Sequence, residues 1–174
     1  YHDCVTERAR KENSEMLQQL REKGQVQKGV PNEDFARYWN YSSPRPMAGS
    51  ISCDTVGAVA RGPGNHFAVA GSTGGSAPSL LGRVGDTPLV GSGFYAGPAA
   101  AVAATGVGEH IIRHLLAISV YRWIEDGMPL QLALQRGIDL FDPDVSVGLI
   151  AVSKTDAGSC SNGDMPKALV QGSR

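Results

Sequence analysis

At 174 residues the chain is long enough for one domain with a real core and hardly for two. Its 41% hydrophobic and 19% charged residues, with a net charge of −1, are the composition of a soluble globular domain. Charge is even along the chain: residues 1–54 carry eight basic and eight acidic side chains, the remainder eight and nine. That evenness excludes a basic stripe for nucleic acid or an acidic membrane surface. The longest apolar stretch, around Phe94–Ala104, is interrupted by Gly97 and Pro98 and is too short to span a bilayer. Cys4, Cys53 and Cys160 are sparse, odd in number and without a C-x-x-C pair, so free thiols and a cytoplasmic location are expected.

In chain order, residues 5–23 read as a helix, with Val5, Ala9, Met16, Leu17 and Leu20 near one face and Gly24 as its stop. Residues 24–54 follow as a Pro/Gly/Ser-rich flexible linker holding the aromatic cluster Phe35, Tyr38, Trp39 and Tyr41. Texture then changes sharply. Cys53-Asp54-Thr55-Val56-Gly57-Ala58-Val59-Ala60 sets a carboxylate before a threonine that opens an apolar strand. If the Asp54–Thr55 bond is cut, Thr55 gains a free α-amine beside its own hydroxyl, a known way of activating a threonine nucleophile. Taken alone, the same pattern fits an ordinary strand start after a loop.

Thr55–Arg61, a Gly62-Pro63-Gly64-Asn65 turn and His66–Ser72 read as a hairpin. Residues 74–90 read as a loop, Gly93–Ala96 and Ala99–Ala104 as short strands, and Thr105-Gly106-Val107-Gly108 as the lead into one helix from about Glu109 to Asp126. Pro129 opens a second helix with Leu130, Ala133, Leu134, Gly137, Ile138 and Phe141 inward, closed by Pro143. Val145–Ser153 reads as a buried strand, a shorter strand follows the Asp156-Ala157-Gly158 turn, and a last strand is expected near Lys167–Val170. Strands, two helices, then strands define an α+β domain with an antiparallel sheet rather than a βαβ array.

Several segments carry candidate chemistry. Gly106-Val107-Gly108-Glu109 at a strand–helix junction resembles half of a dinucleotide fingerprint, but Ile111 stands where the third glycine belongs. The same junction can serve as an oxyanion site, since backbone N–H groups converge there. His110 and His114 lie four apart on a helix without the glutamate of an H-E-x-x-H site, which reads more simply as an exposed face than as a metal site. Neither Ser72-Thr73-Gly74-Gly75 nor Gly91-Ser92-Gly93 is the elbow of a serine hydrolase. Arg83 and Asp86, three apart in a glycine-flanked loop, fit either a surface ion pair or a grip on a zwitterion, with Arg83 taking a carboxylate and Asp86 an ammonium.

From Asp54 to about Leu169 these ordered motifs resemble the threonine-type N-terminal-nucleophile amidohydrolases of the isoaspartyl peptidase/L-asparaginase family, which includes the plant-type asparaginases, the glycosylasparaginases and threonine aspartase. Asp54-Thr55-Val56-Gly57-Ala58-Val59 matches the cleavage site, Ser72-Thr73-Gly74-Gly75 the second threonine, Gly82-Arg83-Val84-Gly85-Asp86-Thr87-Pro88 the substrate loop, and Ala104-Thr105-Gly106-Val107-Gly108-Glu109 the oxyanion segment. Val147-Gly148-Leu149-Ile150-Ala151-Val152 and Met165-Pro166 fit the closing strands. The resemblance implies a four-layer αββα sandwich. In that fold residues 1–54 are the end of an α subunit and residues 55–174 are the β subunit, while most of the α subunit, with its structural sodium loop, would lie ahead of Tyr1.

The implied roles are Thr55 as nucleophile after cleavage at Asp54, Thr73 as its orienting partner, and Thr105 with Gly106 as the oxyanion site. Arg83 and Asp86 would hold the substrate's α-carboxylate and α-ammonium, and Gly106 and Gly108 would keep the backbone close to the carbonyl. No metal or other cofactor is implied in this part of the chain. The substrate would be L-asparagine or a β-aspartyl dipeptide, and the assembly a dimer of αβ units. The Asp-Thr junction is usual in glycosylasparaginases, whereas the Ser-Thr-Gly-Gly and Gly-Asp-Thr-Pro-Leu wording is that of the asparaginase branch, so glycosylated asparagine stays an alternative substrate. A chain left uncut at Asp54–Thr55 would instead be a non-catalytic assembly or binding subunit.

Overall fold

The computed structural model describes residues 51–52, 55–77 and 82–171, together with Glu7 and Lys11, which are helical. The remainder of the expected helix over 5–23, residues 24–50 of the linker, Cys4, Cys53 and Asp54 lie outside the described residues. The chain divides into two units: residues 1–52 with 76–83, and residues 53–75 with 84–174. In the first, β1 (Ile51–Ser52) pairs antiparallel with β4 (Ser76–Ala77), a short strand inside what reads from sequence as an unbroken loop.

The second unit holds the remaining strands in two sheets. Strand β2 (Thr55–Arg61) and β3 (Phe67–Thr73) form a hairpin through a turn of 3-10 helix at Pro63–Asn65, where Gly64 and Asn65 take the positive φ that the tight reversal requires. The ladder runs unbroken from Thr55↔Thr73 to Arg61↔Phe67. Strands β5 (Phe94–Ala96), β6 (Ala100–Gly106), β7 (Val147–Ser153) and β8 (Ala157–Ser161) form a wholly antiparallel four-stranded sheet in that order.

Alternation along β6 and β7 explains the layering. Val102, Ala104, Val147, Leu149 and Ala151 join the core under the helices, while Ala103 and Ile150 look to the other face, toward the hairpin. Both faces are covered, so β6 reads as a near-continuous run of small apolar residues. The hairpin comes very close: a Cβ added to Gly57 would stand 3.2 Å from the Ala103 Cβ. At the far end, Arg61 Nη1 donates to the carbonyls of Ser153 and Lys154, pinning the hairpin to the C-terminal end of β7.

On the opposite face lie α1 (Gly108–His114), α2 (Leu116–Glu125) and α3 (Leu130–Ile138). Ile111, Leu116, Val120, Leu134 and Leu149 are fully buried there. The inward set expected for the last helix, from Leu130 to Phe141, is buried as the 3.6-residue spacing predicts. Tyr121 lies edge-on to Tyr95 and donates to Glu125 Oε1 at 2.8 Å. Burial first, and then that bond, raise the Tyr121 phenol above its ordinary value.

Two expectations need correction. The single helix over 109–126 is broken at Leu115, which takes a left-handed φ of 45°, closes α1 through its N–H to Ile112 O and opens α2. The first N–H groups of α2 are met from outside the helix: Ala117 N donates to Ser92 O at 3.1 Å and Ile118 N to Gly91 O at 2.9 Å. Hydrophobic period cannot reveal such a break, since both pieces keep the same apolar face. The strand expected near Lys167–Val170 is absent, and residues 164–171 have no regular structure. Pro166 withholds a ladder donor, and Leu169 and Val170 are 65% and 90% exposed. The segment is held by side chains instead, with Met165 packed on Gly148.

Gly137 on α3 sits between Leu149 and Val120, whose methyls would stand 2.7 and 2.9 Å from an added Cβ. Gly137→Val should therefore cost about 1–3 kcal/mol through overpacking, read as a lower midpoint in thermal circular dichroism. An unchanged midpoint would contradict the packing described.

Candidate active site

The hairpin register sets Thr55 directly opposite Thr73. Thr55 Oγ1 donates to Thr73 Oγ1 at 3.0 Å, and the Gly75 N–H donates to the same oxygen at 3.0 Å. The second bond exists because Gly75, with φ of +78°, turns the chain back toward its own strand end. A threonine hydroxyl has two acceptor sites and one proton. Thr73 Oγ1 therefore bridges the Thr55 hydroxyl and the Gly75 N–H, which fixes the two hydroxyls relative to each other.

Thr105 and Gly106 reach the same end of the sandwich from the facing sheet. Gly57 lies over Ala103 and Arg61 over Ser153, the ladder partner of Ala100, so β2 and β6 run in opposite senses across the gap. Two residues on from that contact, Thr55 on β2 and Thr105 on β6 keep the same facing parity. Gly106 closes β6 opposite Val147 with φ of +140°, and a Cβ there would overlap Ser146 O. Only glycine fits this position. The turn is completed by the Val107 N–H to Ser146 O at 3.1 Å, and α1 begins at the buried Gly108.

Asp86 is buried, at 6% exposed. Its carbonyl receives the N–H groups of Leu89 at 2.8 Å and Gly93 at 3.1 Å, and an added Cβ on Gly93 would collide with that carbonyl. Next to it, the Thr87 methyl carbon stands 3.3 Å from where a Gly71 Cβ would be, so the Asp86 loop flanks β3 two residues before Thr73. Through Gly91 and Ser92 the same loop caps α2. Arg83 is half-buried and belongs to the first unit.

The competing chemistries find no support in the geometry. The strand following α3 returns antiparallel to β6, which excludes the parallel βαβ unit of a dinucleotide site. His110 and His114 lean on Phe141, with ring centroids 6.5 and 5.2 Å away, and among the described residues no group of three metal-ligating side chains occurs. Cys160 is a free thiol beside Gln135 Oε1 at 3.2 Å. Sequence reasoning missed the Gly75 N–H, the Thr87–Gly71 contact and the seat of Met165 on Gly148. Paired glycines at 57 and 71 in facing strands were the available signal for a close approach.

A threonine pair at the open end of stacked antiparallel sheets, backed by helices, is the α+β arrangement of an N-terminal-nucleophile hydrolase. The chain belongs to the asparaginase family, whose profile matches residues 3–173. It is 33% identical over 166 residues to a plant-type L-asparaginase of Thermococcus kodakarensis, covering 92% of this chain and 51% of that protein. Against an isoaspartyl peptidase of Salmonella typhimurium identity is 45% over 114 residues, 63% of this chain and 36% of the relative. A mouse isoaspartyl peptidase/L-asparaginase is 34% identical over 155 residues, 86% and 43% of the two chains. The chain spans about half the length of the curated relatives it matches.

Because a side chain at 106 cannot fit without moving Ser146, Gly106→Ala should destabilise the domain by about 1–3 kcal/mol, read as a lower midpoint in thermal circular dichroism. An unchanged midpoint would contradict the tight β6–α1 junction.

Proposed function

We propose that this chain is part of an autoprocessing amidohydrolase that hydrolyses the side-chain amide of L-asparagine and of β-aspartyl dipeptides. The observation that carries this reading is the 3.0 Å bond from Thr55 Oγ1 to Thr73 Oγ1 at the start of β2.

In the first stage Thr55 Oγ attacks the Asp54 carbonyl carbon. The Asp54–Thr55 C–N bond breaks, an ester forms, and water cleaves it to a carboxylate at Asp54 and a free α-amine on Thr55. In the second stage that amine, with an ordinary pKa of about 7.7–8.0, takes the hydroxyl proton as Thr55 attacks the substrate amide. The Thr105 hydroxyl and the Gly106 N–H stabilise the oxyanion, the amine leaves with the proton, and water releases aspartate from the aspartyl-enzyme. Asp86 takes the substrate's α-ammonium and Arg83 its α-carboxylate. The groups this mechanism uses are hydroxyls, an amine, backbone donors and the Asp86 and Arg83 side chains of the chain itself. The working assembly we propose is a dimer of αβ units, as in the family resembled.

Names of the relatives support asparagine and isoaspartyl substrates over glycosylated asparagine. Thr55→Ala should abolish both self-cleavage, followed by intact mass, and amide turnover; turnover that persists in this variant sinks the mechanism. Arg83→Ala should raise KM for asparagine while self-cleavage proceeds, because a ground-state grip acts on substrate alone. An unchanged KM would take Arg83 out of the pocket.

A further inference from the structure

Met165 lies on the same inner face of the sheet as Thr105. Its sulfur occupies the space that a Cβ on Gly148 would need, and the Thr105 methyl carbon is 3.2 Å from that same point. Gly148 is the ladder partner of Thr105, so the thioether is seated one strand over from the oxyanion threonine. The side chain is only half-buried.

The strand order gives this position a direction. Asp86 and Thr87 flank β3 ahead of β5, Thr105 stands on β6, and Gly148 with Met165 stands on β7. Asp86 and Met165 are thus on opposite flanks of Thr105. If Asp86 takes the α-ammonium, the aspartyl half of the substrate extends toward β5, and the nitrogen released from the carbonyl must lie on the other side. That side is walled by Met165.

We infer that Met165 is the specificity-determining wall for the leaving group, favouring β-aspartyl peptides whose released residue is apolar. The inference rests on the proposed hydrolysis and deepens it. A flexible, polarisable thioether suits aliphatic side chains of varied shape. Ammonia released from asparagine has nothing to lay against it, so the residue acts on the ratio between substrates. Gly148 is part of the device, since any side chain there would displace the sulfur.

The test compares the processed, assembled protein with Met165→Ala and Met165→Leu on β-aspartyl-leucine and asparagine. The ratio of kcat/KM for the dipeptide to that for asparagine should fall about tenfold in Met165→Ala and be largely restored in Met165→Leu. An unchanged ratio, or an equal loss on both substrates, overturns the assignment. Should Met165→Ala fail to accumulate, the wild type decides: kcat/KM should rise from β-aspartyl-glycine through alanine to leucine, and a flat series overturns it. Wild-type protein inert toward both amides would instead strike the proposed function itself.

Discussion

Everything at the open end of this fold depends on how closely two sheets approach. A Cβ on Gly57 would stand 3.2 Å from the Ala103 Cβ and 3.7 Å from the Ile150 Cδ1, so the hairpin lies directly on the central sheet. That contact puts Thr55 and Thr105, each two residues further along, toward the same end of the two sheets. A pair of larger residues would have given a better filled sandwich and pushed Thr55 away from Thr105. Arg61 holds the other end by donating to the carbonyls of Ser153, at the last rung of β7, and of Lys154 just beyond it, so the stacking register is fixed at both the middle and the margin.

The small residues that permit this approach bring little apolar area, and the stabilising burial lies elsewhere. It sits under the helices, where Ile111, Leu116, Val120, Leu134 and Leu149 are sealed from solvent. Division of labour follows. One face of β6 and β7 anchors the domain, and the other carries Thr105 and meets the hairpin. The break at Leu115 connects the two, because the start of α2 is capped by the loop that also presents Asp86.

Much of this was legible in the chain. The hairpin and the inward face of α3 follow from periodicity, Thr55 stands out at a strand start, and Thr73 and Thr105 are marked by the family resemblance. Other features are tertiary and leave no local trace. Leu115 adopts a glycine-like φ because outside carbonyls take over the helix N–H groups. The Lys167–Val170 run ends in two apolar residues but pairs with no strand among the described residues. Asp86 reads as a loop charge and proves buried, since glycines at 91 and 93 let its loop fold onto itself. Met165 gave no signal as a site residue, because its seat is defined by an absent side chain at Gly148.

The central claim is that the Asp54–Thr55 bond must open before Thr55 can work. The most direct measurement follows intact mass and asparagine turnover together while freshly purified protein matures. Turnover should grow in proportion to the fraction of chains yielding a fragment that begins at Thr55. Full turnover from protein in which Asp54 and Thr55 stay joined would contradict it.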